Sequence, residues 1–234
     1  MKKIALGLSL LGALVSNAAL STPTANIKVI GDIKPPTCNV NGGDNDLVFD
    51  LGKISPSLIP KTGLYALPEI SKPLNVSCDA ATYLTFTMSD TYPITDFINQ
   101  LSSQRKDITY GLVDAATGKE VGGISFTIKD ITVDGQPSFM SATQGSSWTV
   151  ASASNLSKNR VAGWTKTAQN SSVTSPSNLN LISGKQFGAT IHTFAGEWSY
   201  SFIKGTDSLD AEGIDISNGL DFVGQAIMTF NFGV

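Results

Sequence analysis

Histidine is almost missing from this chain: His192 is the only one among 234 residues, and there are two cysteines, Cys38 and Cys78. A lone histidine needs a nucleophile beside it to build a Ser-His-Asp triad, and no G-x-S-x-G elbow or comparable context is present. Within A-T-I-H-T-F it reads as a strand histidine, and no catalytic residue is expected. A His/Cys metal site fails once the cysteines are oxidised, so neither a metal nor a cofactor is expected. No glycine-rich phosphate loop and no G-x-G-x-x-G follows a strand, which removes nucleotide binding. Charge is scarce as well, at 15% of residues, with 16 Lys and Arg spread thinly against 19 Asp and Glu. Without a basic patch, nucleic acid is excluded as a partner. Sustained helical periodicity is lacking, while 22 glycines and 10 prolines punctuate the chain. That pattern points to an all-β protein of short strands and turns. There is no internal repeat and no linker separating two domains.

Long apolar runs are also lacking, with one exception at the start. Met1-Lys2-Lys3 precedes an apolar stretch over residues 4–15, followed by Ser16-Asn17-Ala18. This stretch falls short of the roughly 20 residues that span a bilayer. It reads as a secretory signal peptide, residues 1–18, and not as a transmembrane segment. Export places the rest of the chain where disulfides persist, so Cys38 and Cys78 are expected to pair. Closing a loop of that length contributes about 4 kcal/mol on the chain-entropy view.

Alternation supplies the strands. In I-K-V-I-G-D-I, residues 27–33, Ile27, Val29, Gly31 and Ile33 share one side, and Pro35-Pro36 ends the run. Residues 47–51 (L-V-F-D-L), 84–88, 109–113 and 124–133 read as strands, and residues 73–77 lead to Cys78. Residues 186–192 and 197–203 read as a hairpin around Ala195-Gly196, and residues 96–104 as a helical turn. The chain closes on Q-A-I-M-T-F-N-F-G-V, where Met228, Phe230 and Phe232 share one face. Residues 138–184, rich in Ser, Thr and Asn, read as a loop-rich insertion outside the main sheet.

Together these features resemble the pilins of chaperone–usher fimbriae. The run Ile27-x-Val29-x-Gly31-x-Ile33 leading to Cys38-x-Val40 is similar to the pilin first-strand pattern. The cysteine spacing, Leu51-Gly52 and the alternating C-terminal strand add to it. The likeness covers residues 19–90 and, less fully, 222–234, and is nearest the larger GltF-like periplasmic fimbrial proteins. Two departures stand out: the last strand has no penultimate tyrosine, and the chain is longer than a typical pilin, with the surplus after Cys78.

The resemblance implies an immunoglobulin-like β-sandwich, residues 27–234, lacking its last strand. In that family the vacant groove is filled by strand addition, first from a periplasmic chaperone and then from a neighbouring subunit's N-terminal arm. Met228, Phe230 and Phe232 would line the groove. Residues 19–26 would be the arm, with Leu20, Thr22, Thr24 and Asn26 on one face. Neither face of that arm offers large apolar side chains in series. The expected function is a non-catalytic structural or adhesive fimbrial subunit, served by chaperone and outer-membrane usher, in the periplasm or on the cell surface, with a host or surface receptor as a further partner. The alternative is a monomeric periplasmic pilin-like protein with a binding or accessory role. Trp148 and Trp164 lie in polar surroundings and are candidates for stacking on a ligand, while Trp198 alternates with Tyr200 and Phe202 as a core residue. The acidic stretch from Asp207 to Asp215 reads either as a solvated loop or as oxygen ligands for Ca²⁺, though without EF-hand spacing.

Overall fold

The computed structural model of the chain describes residues 28–93, 106–143, 155–169, 173–194 and 201–233. The segments expected to form a signal peptide (1–18), an arm (19–26) and a helical turn (96–104), together with Trp148 and Trp198, lie outside the described residues. The chain divides into two compact units, Met1–Lys34 and Pro35–Val234. In the first, residues 28–34 carry no regular structure, and Val29 and Ile33 are 91% and 103% exposed. Lys34 pairs with Asp32 there. The strand expected over 27–33 is therefore not formed in its described part: alternation sorts side chains to two sides, but a strand also needs a neighbour to bond.

The second unit is antiparallel β-structure. Its strands are β1 (Cys38–Val40), β2 (Leu64–Ala66), β3 (Ser71–Asp90), β4 (Thr109–Asp114), β5 (Glu120–Val133), β6 (Gln136–Pro137), β7 (Phe139–Ala142), β8 (Val161–Thr165), β9 (Ser183–Thr193), β10 (Phe202–Lys204), β11 (Phe222–Val223) and β12 (Ala226–Phe232), with a short helix α1 (Thr206–Ala211). Strand order runs β11-β4-β5-β9-β3-β8-β7, with β1 and β12 on β3, β10 on both β2 and β5, and β6 on β5.

Two long strands carry most of this pairing. β3 pairs with β1 and β9 through its first half and with β8 and β12 through its second. β5 pairs with β4 and β10 near its start and with β9 beyond Phe126. Pro73 is tolerated inside β3 because it sits opposite Thr190 of β9 at a point where β1 has not yet begun. The core gathers alternate β3 residues, Leu74, Val76, Leu84, Phe86 and Met88, with Trp164, Phe187 and Ile191 from neighbouring strands. Tyr110 and Ile128 join from β4 and β5.

Cys38 stands directly opposite Cys78 in the β1–β3 ladder, and the two form a disulfide. The sequence therefore located this staple correctly, and it joins facing positions of adjacent strands.

Three elements differ from expectation. Residues 47–51 keep their alternation, with Leu47, Phe49 and Leu51 part-buried between exposed neighbours, yet no described strand pairs with them. Phe49 instead lies against Phe126 at 5.3 Å between ring centroids. β9 and β10 do not pair with each other as a hairpin; each pairs with β5, end to end. Residues 138–184 do not lie outside the sheet in their described part, because β7 and β8 are members of it and β8 bonds β3 directly. Burial of Met140, Leu156, Ala162 and Trp164 holds this segment in place despite its polar composition.

Candidate functional site

β12 is an edge strand among the described residues. Its whole length pairs antiparallel with β3, from Ala226 opposite Asp90 to Phe232 opposite Leu84. No other described strand pairs with it. Two further bonds bracket the ladder, from Thr91 N–H to the Gln225 carbonyl and from Gly233 N–H to the Tyr83 carbonyl. In an antiparallel ladder, bonded and non-bonded positions alternate. Odd-numbered residues of β12 therefore turn their N–H and C=O groups to β3. Ala226, Met228, Phe230 and Phe232 turn theirs away, to the strand's outer edge.

The same even-numbered residues carry the apolar side chains on the core side. Phe230 meets Phe86 edge-on, with ring centroids 6.1 Å apart. Phe86 in turn packs on Trp164 at 5.8 Å, and Trp164 on Phe187 at 5.3 Å. Burial fades along this chain of rings: Trp164 and Phe86 are fully buried, Met228 and Phe230 are half-buried, and Phe232 is 47% exposed. The core is thus incompletely covered at β12. Its residues contain no charge and no proline, the devices that usually protect a sheet edge from pairing. Met228, Phe230 and Phe232 lie together as the period of two predicts. The sequence did not single out Ala226 as the fourth outward-facing backbone position, since that follows from the ladder phase.

Trp164 is placed in the centre of the core, with its indole N–H donating to the Gly188 carbonyl at 3.3 Å. Its ring has no free face for a surface ligand. The adjacent apolar letters V-A-G-W were the available signal that it belongs to a strand.

Beside the start of β12 lies a buried polar cluster that sequence reasoning missed. Lys158 Nζ stands 3.5 Å from the Asp90 carboxylate and donates to the Thr109 carbonyl at 2.7 Å. Asp90 also accepts from the Gly111 and Tyr92 N–H groups. Burial raises its pKa above the ordinary carboxylate value, opposed by the Lys158 charge and these backbone donors. Tyr110, whose hydroxyl donates to the Leu156 carbonyl, has its phenol pushed well above the ordinary value by burial and by Asp90. The partners are far apart in sequence, so no local pattern announces the cluster. Every polar end is engaged structurally, and it fixes the β3–β4 corner from which β12 departs.

His192 sits between Ser71 and Glu69, but both contact the same nitrogen, Nδ1, at 2.7 Å and 3.0 Å. A proton relay needs the hydroxyl and the carboxylate on opposite nitrogens, so this is not the triad geometry. In the acidic stretch, Glu212 binds Lys204 Nζ through both oxygens at 2.9 and 3.0 Å, and Asp215 accepts from the Ser217 N–H. Lys204 also contacts Glu120 at 3.0 Å. Glu212 and Glu120 are thus neutralised by Lys204, and Asp215 is engaged within its own turn. Among the described residues, no group of three or more His, Cys, Asp or Glu side chains is placed to hold a metal ion, and no helix is long and apolar enough to cross a membrane.

No protein-family model matches this sequence, and no curated protein matches it.

Proposed function

We propose that the chain is a non-catalytic structural or adhesive subunit of a chaperone–usher fimbria, built on an immunoglobulin-like sandwich that lacks one strand beside β12. The single observation that supports this most is the uncharged outer edge of β12, with Phe230 half-buried and Phe232 47% exposed on its core side. An added strand would bond the outward N–H and C=O groups of residues 226, 228, 230 and 232 and cover the exposed rings. A periplasmic chaperone would supply that strand first, and a neighbouring subunit's arm would replace it at the usher. Export by residues 1–18 and the pilin-like spacing of Cys38 and Cys78 are consistent with this route. The composition of residues 19–26 favours a second reading: Leu20, Thr22, Thr24 and Asn26 form a weak donor face. On that reading the protein stays monomeric in the periplasm.

Amide exchange of residues 226–232 tests the proposal, measured where the protein is monomeric. Fast exchange at Ala226, Met228, Phe230 and Phe232, slowed by a peptide spanning residues 19–30, is the expected result. Uniformly slow exchange with no partner present would mean that the sheet is complete, and the strand-addition reading would be abandoned.

A further inference from the structure

We infer that a second copy of this chain occupies the edge of β12 that no described strand covers, when no donor strand is present, forming a two-fold symmetric dimer through an antiparallel β12–β12 ladder. The inference rests on the same open edge as the proposed function, but it adds a specific occupant and register.

The ladder phase selects that register. Outward hydrogen-bonding groups sit on residues 226, 228, 230 and 232, and the two-fold axis of an antiparallel self-pair must pass through one position. With the axis at Thr229, Ala226 bonds Phe232 of the second copy and Met228 bonds Phe230 of the second copy, and the reverse pairs follow by symmetry. Every outward N–H and C=O of the strand then has a partner. Moving the axis to Met228 or Phe230 leaves one end of each strand unpaired.

The side chains agree with that register. On the core side, small Ala226 lies beside large Phe232, and flexible Met228 beside Phe230, so neither pair sets two large rings against each other. On the outer face Ile227, itself 47% exposed, lies beside Asn231, and Thr229 meets Thr229, a pairing that cross-strand hydroxyls support. Symmetry makes charge decisive, because any charge at the axis meets its own copy. β12 carries none. The dimer and a donor strand compete for one edge, so self-pairing would hold unassembled chains and release them as donor strands arrive.

The register gives a sharp test in the full chain. Thr229 is exposed and points away from the core, so Thr229→Cys and Thr229→Lys leave the packing intact. Residue 229 occupies a non-hydrogen-bonded pair, where Cα atoms approach to about 4.5 Å and a disulfide can close. Thr229→Cys should give a reducible covalent dimer. Ile227→Cys and Asn231→Cys should each fail alone and cross-link when mixed. Light scattering should show a concentration-dependent dimer for the unmodified chain and a monomer for Thr229→Lys. A chain that is monomeric at all concentrations, or that cross-links through Ile227→Cys alone, overturns the inference. In the first case, fast exchange at residues 226, 228, 230 and 232 would leave the strand-addition proposal standing, and slow exchange would remove both.

Discussion

Trp164 and Phe230 lie along one line of aromatic contacts but at opposite ends of a burial gradient, and substitution should separate them. Trp164→Ala opens a cavity in the centre of the core and should cost about 3–5 kcal/mol in urea unfolding. Phe230→Ala should cost less than this in the isolated protein, since its ring is only partly buried, and the cost should rise once a strand is bound over it. Asp134 carries a separate, pH-dependent contribution. Its carboxylate accepts from the Lys185 and Gln186 N–H groups at 2.9 and 2.8 Å, and these bonds lower its pKa. A lowered folded pKa means stability that is present above the ordinary carboxylate range and lost as pH falls through the folded value. The stability difference between the natural chain and Asp134→Asn should therefore be largest near neutral pH and shrink on acidification, followed by denaturation at a series of pH values. The burial of Trp164 was hard to read in advance because its partners, Phe86 and Phe187, are distant in sequence, while the polar residues that follow it outweigh the short apolar run Val161-Ala162-Gly163 before it.

Among the elements, β5 and β12 were legible because their alternation is sustained, and β4 because the turn residues Ala116-Thr117-Gly118 close it. β1, only three residues long, was marked mainly by its cysteine. The β9–β10 hairpin was misjudged for a physical reason: proximity in sequence favours pairing, but β5 is long enough to take both strands along one edge. That shared edge makes a glycine essential. A Cβ on Gly122 would stand 2.0 Å from the Phe202 carbonyl oxygen and 3.0 Å from the Ile203 Cα, both backbone atoms that no rotamer change can move. Gly122→Ala should lower the unfolding free energy by roughly 1–3 kcal/mol and lower Tm, although alanine is otherwise the easier residue to order. An unchanged Tm would mean that β10 is not held against β5 as described.

The architecture as a whole was readable as antiparallel β because composition and spacing exclude almost everything else. The exact strand order was not, since it depends on which distant edges meet. The one long-range contact that the sequence did fix is the disulfide. Thiol titration of the unfolded, unreduced protein should find no free cysteine, and reduction should lower stability by about 4 kcal/mol if the loop-closure account holds. β1 and β12 both lie on the edge of β3 opposite β9 and β8, with Thr37 bonded beside Asp79 and Gly233 beside Tyr83. The first and last described strands thus meet β3 at neighbouring points. Tension applied between those two points would bypass most of the molecule. It would be borne at one end by the covalent Cys38–Cys78 link and at the other by the β12 ladder alone, which would open like a zip from Gly233 towards Ala226. A strand seated on the outer edge of β12 would brace that zip, so the molecule would resist more load with that edge filled than with it empty.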